Sequence, residues 1–411
     1  MALHLHMNSL EKNNIPAGYK DSAVGIIPQE WEIKTLCECF SISAGRDLQK
    51  AFYSATPSEI HRYPIFSNSL ENKGLYGYTS HPRHKSGSIT ITGRGMLGVA
   101  EYRNIDFDAI VRLLVLFPKR PITGSLIAEY INFRKPFYLE STGVPQLTAP
   151  QIANTPIPIP PLAEQREIAE ILGMWDEAIE KQSRLIEKLE LRKRALMQRL
   201  LTGRTRLPGF TTPWQKVKLG EIGKFDKGVG VPKEKIVSEG CKAITYGEIY
   251  TKYDYVIKDF ASYIDSDTAQ TSKQISSGAI LFAGSGETLE DIGKCVVFID
   301  NDKAYAGGDI IIFNPSIEVD SLVLSYILNS PVAIAQKRRY GQGHSVVHIY
   351  QKDLVRIEFE LPSHHEQKAI AEVLTTADDE IATHRKKLDA LRLQKRGLMQ
   401  QLLTGKIRVK I

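Results

Sequence analysis

The sequence predicts a mixed α/β (α+β) chain in which two globular domains are each followed by a long helix. The two helices are expected to pair as an antiparallel coiled coil with pseudo-two-fold symmetry. Three observations predict this fold class. Residues 164–204 overlay residues 366–406 without a gap at a shift of 202 positions, and nineteen of the 41 positions are identical. Both copies carry an apolar heptad stripe, and the segment before each copy contains short β-branched runs separated by Gly, Pro and Asn.

Each copy of the repeat predicts one helix of about 40 residues, which is roughly 60 Å long at 1.5 Å per residue. The predicted a/d seam consists of Ile168, Leu172, Trp175, Ile179, Ile186, Leu189, Leu196, Leu200, Ile370, Leu374, Ile381, Leu388, Leu391, Leu398 and Leu402. Polar residues interrupt both seams at equivalent positions, namely Gln182 and Lys193 in the first and His384 and Lys395 in the second. We expect these residues to fix the register of the pair. The alternative is that the two helices pack separately, each on a globular domain.

Local signals place the ends of both helices. Pro160 and Pro161 precede the first helix, and Ser363-x-x-Glu366 forms a capping box at the start of the second. Glycines follow the last apolar residues, where a left-handed C-cap is favoured: Gly203 and Gly405. The expected boundaries are residues 1–160 for the first globular segment, 161–205 for the first helix, 206–361 for the second globular segment and 362–411 for the second helix.

The two globular segments resemble each other more weakly than the helices do. Their predicted strands are Ser88–Thr92, Val111–Phe117, Ala279–Phe282, Cys295–Ile299 and Asp309–Phe313. The stretch from Gly87 to Gly95 parallels that from Gly278 to Gly286. Two further matches are Leu126-x-x-x-Tyr130 with Leu322-x-x-x-Tyr326, and residues 134–138 with 336–340. Similar helices with diverged globular parts indicate a shared scaffold that carries two different recognition surfaces.

Composition limits the class of protein. The chain has 411 residues and a formal net charge of +6, which permits a polyanionic partner without requiring one. No apolar run approaches the roughly 20 residues that a membrane span needs. The four cysteines, Cys37, Cys39, Cys241 and Cys295, match neither a disulfide framework nor a zinc site. We therefore expect a soluble, cytoplasmic protein without a metal.

Catalytic motifs give one weak match. Phe282-Ala-Gly-Ser-Gly286 fits the F-x-G-x-G turn of adenosylmethionine-dependent methyltransferases, so a stand-alone DNA methyltransferase is the alternative function. The equivalent stretch in the first half lacks the Phe, and the N-P-P-[FYW] loop of amino-methyltransferases does not occur. Phosphate-loop, zinc-protease and nucleophile-elbow motifs are also missing. We expect no catalytic residues, and a binding protein is the favoured class.

Basic residues cluster with polar and aromatic ones in loop-like stretches of both segments. Arg and Lys contact phosphates, and Arg, Gln and His can also read base edges. The DNA-binding candidates in the first segment are Arg83, His84, Lys85, Arg94, Arg134, Lys135 and Tyr138. In the second segment they are Lys227, Lys233, Lys235, Ser285, Lys337, Arg338, Arg339, Tyr340, Gln342, His344 and His348. The alternative for any one cluster is a solvated surface loop.

Several motifs together resemble the specificity subunit of type I restriction–modification systems. These are the stretch from Gly18 to Trp31, the Pro160-Pro161-Leu-Ala-Glu-Gln165 start of the first helix, its counterpart Pro362-Ser-His-His-Glu-Gln367, and a Leu-Leu-Thr-Gly sequence at the end of each helix. The resemblance covers essentially the whole chain. One departure is that Ser-His-His replaces Pro-Leu-Ala in the second copy, which should alter local capping.

The resemblance implies two target recognition domains, each reading one half of a bipartite double-stranded DNA sequence. The helices would set the spacer between the half-sites and dock two methylation subunits, with restriction subunits joining in the nuclease. Adenosylmethionine, ATP and Mg would belong to the partner chains, and this chain would hold no cofactor and contact no membrane. Off-seam apolar residues would either dock the methylation subunits or widen the seam: Ile171, Leu185, Leu191, Met197 and Val373.

Overall fold

The two long helices form where the heptad pattern predicts them, over Leu162–Leu200 and His364–Leu402, with 39 residues each. The computed structural model describes residues 15–137, 145–343 and 346–410. The chain divides into two units. The first contains the residues up to Ser183 together with those from Lys386 onward, and the second contains residues 184–385. Each unit therefore holds one globular segment and a part of both long helices.

Within each unit the two helices pair in opposite directions. In the second unit Arg385 bonds to Glu190, and Asp378 bonds to Lys193. The residue that comes earlier in the second helix thus contacts the residue that comes later in the first. In the first unit Lys395 lies 2.7 Å from Asp176. All fifteen predicted seam residues are buried or half-buried. The predicted antiparallel pairing is confirmed in each unit, and the alternative of separately packed helices is wrong.

The Glu-Gln pair at the start of each long helix attaches that helix to its own globular segment. Trp31 Nε1 donates to Glu164 at 2.9 Å, and Trp214 Nε1 donates to Glu366 at 2.9 Å. An arginine completes each cluster. Arg408 Nε lies 2.6 Å from the Glu164 carboxylate, and Arg206 Nε lies 2.6 Å from the Glu366 carboxylate. Gln165 accepts a hydrogen bond from the Thr123 N–H, and Gln367 accepts one from the Asp320 N–H. The repeated motif is therefore a structural anchor.

The caps agree with the sequence signals in part. Gly203 and Gly405 both adopt left-handed conformations, with φ of 65° and 68°, as predicted. Ser363 Oγ accepts from the Glu366 N–H at 3.4 Å. The carboxylate of Glu366 does not complete the capping box, however, because Arg206 and Trp214 occupy it.

The first unit is built on a four-stranded antiparallel sheet, the first central sheet. Its strands in spatial order are Phe40–Ala44, Leu114–Pro118, Ser88–Ile91 and Ala100–Arg103. A second sheet consists of Asp108–Ala109, Tyr63–Phe66, Leu75–Thr79 and Tyr53–Ser54, with only its first pair parallel. Short pairs join Tyr19–Lys20 to Ile27–Pro28 and Glu32–Thr35 to Pro156–Ile159. The α-helices are Leu36–Cys39, Gly124–Arg134 and Ala149–Ala153, and the 3₁₀ turns are Lys50–Phe52 and Glu71–Gly74.

The second unit has a five-stranded sheet at the same place, the second central sheet. Its strands in spatial order are Gly223–Lys227, Ile310–Pro315, Ile280–Ala283, Cys295–Phe298 and Val256–Ile257. The other five-stranded sheet runs Ile236–Val237, Ser262–Ile264, Cys241–Ile244, Ala304–Ala306 and Lys273–Ile275. The short pairs are Gln215–Lys218 with Glu358–Leu361 and Ser285–Gly286 with Val347–His348. The α-helices are Tyr246–Thr251, Ser266–Thr271, Ser321–Leu328, Pro331–Tyr340 and Gln351–Leu354, and the 3₁₀ turns are Leu219–Glu221 and Lys233–Lys235.

The two central sheets share one register. The equivalent cross-strand pairs are Leu114–Ala44 with Ile311–Lys227, Leu114–Ile91 with Ile311–Phe282, and Ile91–Ala100 with Phe282–Cys295. This register confirms the predicted match between Gly87–Gly95 and Gly278–Gly286. The five predicted strands are confirmed as well, with ends shifted by up to three residues.

Two of the weaker sequence matches are corrected. Asn132 and Asn329 each bond both backbone groups of one strand residue, Ala100 and Cys295 respectively. These bonds make Glu129, not Tyr130, the equivalent of Tyr326. Residues 134–137 do not match 336–339, because the helix Gly124–Arg134 ends there, whereas residues 336–339 lie inside the helix Pro331–Tyr340. Tyr138 lies outside the described residues.

Candidate nucleic-acid interface

A tight turn at the edge of the first central sheet brings two arginines together. The Arg112 N–H donates to the carbonyl of Gly45, and the Val111 N–H donates to the carbonyl of Arg46, both at 3.1 Å. Val111 and Arg112 both have left-handed backbones, with φ of 55° and 59°. Such conformations are uncommon for residues other than Gly and often occur at functional sites. The turn therefore holds Arg46 and Arg112 side by side.

The side chain of Asn68 links this turn to Gly93, the residue before a third arginine, Arg94. Asn68 Oδ1 accepts from the Gly93 N–H, and Asn68 Nδ2 donates to the Val111 carbonyl, both at 2.7 Å. Arg94 follows Gly93 directly, and the Leu147 N–H donates to the Gly93 carbonyl, which places Gln146 nearby. The exposed arginines are Arg46, Arg94 and Arg112, and none forms an ion pair with a residue that the structure describes. Three exposed arginines thus start from neighbouring backbone positions at one sheet edge.

The second central sheet repeats part of this bonding with other side chains. Ile349 donates to the Gly284 carbonyl at 2.9 Å, as Leu147 does to Gly93, and Gly228 donates to the Ile310 carbonyl at 2.8 Å, as Gly45 does to Leu113. The Gly284 N–H differs, because it donates to the Asp309 carbonyl at 2.7 Å, whereas the Gly93 N–H donates to Asn68. Asp309 also has a left-handed backbone, with φ of 60°. The positions of Arg46, Arg94, Arg112 and Gln146 are therefore taken by Val229, Ser285, Asp309 and His348.

In the second unit this edge forms a cavity of about 610 Å³. Its lining includes Lys227, Ser285, Asp309, His348, Tyr350 and Lys352. Ser285 Oγ lies 2.9 Å from His348 Nδ1, and the His348 and Tyr350 rings are near parallel with centroids 6.3 Å apart. Lys352 Nζ lies 5.5 Å from the Tyr350 ring centroid. Hydrogen-bonding groups, a cation and an exposed aromatic face are thus assembled at one place.

The two carboxylates of this cavity differ in how they are satisfied. Hydrogen bonds from the Lys273 side chain and from the Lys227 N–H lower the pKa of Asp226. The Asp309 side chain is exposed and pairs with no cation in the described part of the chain. Asp309 is therefore the carboxylate that remains available to accept hydrogen bonds from a ligand.

Several predicted DNA-binding residues lie together in the first unit but already have partners. Arg83 contacts Asp108 through two hydrogen bonds of 2.6 and 2.8 Å, and Lys85 lies 2.9 Å from Asp106. Burial lowers the pKa of His84, which stacks on the Phe107 ring. These three candidates remain predictions. Within the domain, Arg83 and Lys85 already pair with aspartates, and burial disfavours the charged form of His84.

The prediction for Lys337 is wrong. Its side chain is buried, with 1% of the residue exposed, and its Nζ donates to the Gly293 carbonyl at 2.7 Å. Burial also lowers the pKa of Lys337. The sequence predicted a basic run, but the helix Pro331–Tyr340 turns this one member inward, so it cannot reach a phosphate. Its neighbour Arg338 is exposed and lies 3.0 Å from Glu290.

The other candidates are spread over the two units. Arg134, Lys135, Lys233, Lys235, Arg339 and Gln342 are exposed, and Tyr340 is half-buried. Gln342 pairs through its backbone with His348. The structure thus brings Lys227, Ser285 and His348 together, with Gln342 beside them, and places the other described candidates elsewhere. Tyr138 and His344 lie outside the described residues.

The glycine turn that suggested a methyltransferase has a structural explanation. Phe282 is a fully buried strand residue, and a Cβ on Gly284 would lie 2.9 Å from the Asp309 carbonyl oxygen. In residues 15–137, 145–343 and 346–410 no group of three or more His, Cys, Asp or Glu is placed to hold a metal ion. No helix among the same residues is long and apolar enough to cross a membrane. The four cysteines are free thiols.

Comparison with known proteins identifies the repeated architecture. Residues 28–191 and 211–393 each match the family model of the type I restriction modification DNA specificity domain. The chain belongs to this family. The resemblance inferred from the sequence motifs is therefore confirmed, and nothing supports the methyltransferase alternative.

Relatives and solved structures of the family agree with the fold. The specificity subunit of the type I restriction enzyme MjaVIII from Methanocaldococcus jannaschii is 28% identical over 316 residues, which cover 72% of this chain and 74% of that protein. The crystal structure of a type I restriction–modification S subunit from M. genitalium covers 93% of this chain and 96% of its own, with a TM-score of 0.62 and 16% identity. A chain from a study of complex assembly in the type I R-M system covers 93% and 99%, with a TM-score of 0.54 and 18% identity. At these identities the two structures support the fold alone.

Sequence reasoning missed six residues of the site: Arg46, Arg112, Gln146, Asp309, Tyr350 and Lys352. The glycine-rich stretches did align Arg94 with Ser285, and the 202 shift aligns Gln146 with His348. The other positions adjoin these only through backbone bonds between distant strands, and the sequence carries no signal for them.

Proposed function

We propose that this chain is the subunit that gives a type I restriction–modification enzyme its DNA sequence specificity. Each globular domain reads one half of a bipartite double-stranded target, and the paired helices set the number of unread base pairs between the halves. One observation carries the proposal: two domains with the same backbone register hold different side chains at the same sheet edge, among them the exposed Arg112 and Asp309. Two different half-sites require this arrangement, because recognition needs different hydrogen-bonding groups held on equivalent supports.

The chemistry of the complex belongs to partner chains in this proposal. Two methylation subunits supply adenosylmethionine-dependent adenine methylation, and restriction subunits supply ATP- and Mg-dependent cleavage. This chain contributes no catalytic residue, holds none of these cofactors and works where the DNA is, in the cytoplasm. The support is the family membership of the whole chain together with the structural explanation of its one methyltransferase-like motif.

Genome-wide adenine methylation provides the test. The host is sequenced with this gene intact and with it deleted. We expect one bipartite motif to lose its methylation in the deletion strain and to regain it when the full-length gene is restored. Unchanged methylation in both strains, in a host whose methylation subunit is expressed, would contradict the proposal.

The off-seam apolar residues separate into two groups. Ile171 and Val373 pack against the cores of their units, and Met197 is buried and lies 3.5 Å from the Tyr255 hydroxyl. These three widen the seam, as the alternative predicted. Leu185 and Leu191 remain exposed. The position equivalent to Leu191 at the 202 shift also holds a leucine, Leu393, and the two are 62% and 68% exposed.

We propose that Leu191 and Leu393 are equivalent contacts for two copies of the methylation subunit. Replacing both by Asp should abolish co-purification of the methylation subunit with the full-length chain, because an apolar anchor becomes a charge that the interface would have to desolvate. The matched control is the exposed pair Gln198→Asp and Gln400→Asp, which is also related by the 202 shift. Retention of both methylation subunits by the Leu191→Asp/Leu393→Asp variant would place the docking surface elsewhere.

A further inference from the structure

Two equivalent backbone positions carry opposite charges in the two domains. Arg112 and Asp309 occupy the same place in the register, and their φ angles of 59° and 60° are nearly identical. Both side chains are exposed, and neither forms an ion pair with a described residue. The fold therefore does not need either charge, and the difference between them calls for an explanation outside the domain.

Contact with the DNA backbone does not explain this pair of residues. A phosphate attracts an arginine and repels an aspartate, so a position that faces phosphates should not hold Asp in one of two equivalent domains. Base edges, by contrast, carry both hydrogen-bond acceptors and donors in the major groove. A position that faces bases can therefore hold either residue, depending on which base it reads.

The chemistry of the first unit fits guanine. Arg94 directly follows Gly93, where a Cβ would lie 3.1 Å from the Arg112 carbonyl oxygen, so two exposed arginines start from neighbouring backbone positions. The planar guanidinium fork of arginine matches the O6 and N7 acceptor pair of guanine. The short chain of backbone and Asn68 contacts around Gly93 holds the two residues in place. Arg46 adds a third cation to the same edge.

The chemistry of the second unit fits a base that carries an exocyclic amine. The free carboxylate of Asp309 accepts hydrogen bonds, and the amino groups of adenine and cytosine are the donors that the major groove offers. The hydrogen-bonded pair of Ser285 and His348 lines the same cavity, so one further ring nitrogen of His348 is left for the base. Tyr350 supplies an aromatic face next to it.

We propose that the pairs Arg112/Asp309 and Arg94/Ser285 determine base preference in the two half-sites. The first unit selects guanine, and the second unit selects adenine or cytosine through its acceptor carboxylate. The inference rests on the proposed function and adds to it the residues that read the bases and the class of base each one reads.

The test is selection from a random double-stranded DNA library by the full-length chain bound to its methylation subunits. Asp309→Arg places at this position the residue that the first unit holds at the same φ, so the variant is expected to fold. We expect it to replace the amine-bearing base by guanine in one half-site only. Arg112→Asp should remove guanine from the other half-site. Each preference should change by roughly 5- to 150-fold, the range for one good base contact.

Conservative variants separate base reading from other roles. Arg94→Lys keeps the positive charge but loses the planar fork, so it should weaken the guanine preference and retain the salt dependence of binding. Asp309→Asn should relax the second half-site and suits the left-handed backbone, which Asn tolerates. The matched control uses Ser41 and Lys224, which lie at equivalent register positions on the edge strands, three residues before Ala44 and Lys227. Exchanging them by Ser41→Lys with Lys224→Ser should leave both half-sites unchanged.

The outcomes distinguish the inference from the proposed function. If the unmodified complex selects no sequence, the proposed function fails. If it selects a bipartite sequence and Asp309→Arg and Arg112→Asp leave both half-sites intact, the function stands and the inference is wrong. An Arg94→Lys variant that keeps the guanine preference would make Arg94 a phosphate contact and would also overturn its assignment.

Discussion

The two units attach their globular domains to the paired helices through equivalent lysines, but they complete the contact differently. Lys395 and Lys193 are related by the 202 shift, and so are their partners Asp176 and Asp378. The third partner comes from the globular domain at one equivalent position. It is Glu129 in the first unit, whereas the second unit has a tyrosine there.

In the first unit the contact is a group of one cation and two carboxylates. Lys395 Nζ lies 2.7 Å from Asp176 and 2.8 Å from Glu129. Burial raises the pKa of Glu129 despite the hydrogen bond from Lys395. Burial opposes the charge on Lys395, but its hydrogen bonds to Asp176 and Glu129 together raise its pKa.

In the second unit the contact is aromatic. Lys193 Nζ bonds to Asp378 and lies 4.3 and 5.3 Å from the ring centroids of Tyr255 and Tyr326. The Tyr326 hydroxyl donates to Asp378. Burial, followed by the hydrogen bond to Asp378, raises the pKa of Tyr326, so its phenol stays protonated and keeps donating.

This difference shows which part of the attachment the scaffold requires. The lysine and its aspartate are kept on the helices in both units, whereas the globular domain supplies either a second acceptor for the lysine or a donor for the aspartate. A duplicated scaffold can therefore hold diverged domains. Each domain needs only one group that satisfies the lysine–aspartate pair, either an acceptor for the lysine or a donor for the aspartate.

The largest expected effect follows from removing the lysine in each unit. Lys395→Met leaves the largely buried Glu129 beside the exposed Asp176 without a cation and should cost about 2 kcal/mol of unfolding free energy in the first unit. Lys193→Met leaves Asp378 with its bond from Tyr326, and the Met sulfur can pack on the tyrosine rings, so the cost should be about 1 kcal/mol in the second. Hydrogen exchange of the strand amides in Leu114–Pro118 and Ile310–Pro315 reports each unit separately.

The matched control for these lysines is Lys181→Met. Lys181 forms an exposed ion pair with Glu177 on the first long helix, so its loss should leave the hydrogen exchange of both strands unchanged. Equal costs for Lys395→Met and Lys193→Met would remove the distinction between the two attachments.

A smaller effect is expected in the pH dependence of the first unit. Because burial raises the pKa of Glu129 above its ordinary 4.5, the native state binds this proton more tightly than the unfolded chain does. The resulting stabilisation is complete below pH 4.5 and is lost as the pH rises through the native value. Glu129→Gln should remove this part of the pH dependence, as measured by hydrogen exchange of Leu114–Pro118 between pH 4 and about 7.

The second unit is the internal control for that experiment. Tyr326 occupies the position of Glu129 and does not titrate in this interval, so Ile310–Pro315 should respond alike in Glu129→Gln and in the unmodified chain. A flatter pH profile in both units would show that the change is not local to Glu129.

Much of the fold could be predicted because it depends on periodicity. The heptad spacing predicted both long helices to within a few residues, and the gapless repeat predicted that they pair and that the domains are related. Part of the site was predictable as well, since clusters of basic and polar residues pointed to Lys227 and His348, and the repeat aligned Arg94 with Ser285. Lys337 shows the limit, since a basic run on a short helix does not reveal which member the fold turns inward.

The sequence by itself determined the alternation of domain and helix, the seam and the family, because these are written in residue spacing along one chain. Only the tertiary structure decided that Arg112 and Asp309 are equivalent, that Glu129 corresponds to Tyr326, and which charges remain free at the sheet edge. The physical reason is that these relations run through hydrogen bonds between strands far apart in the chain, and such bonds join backbone groups that every residue type carries.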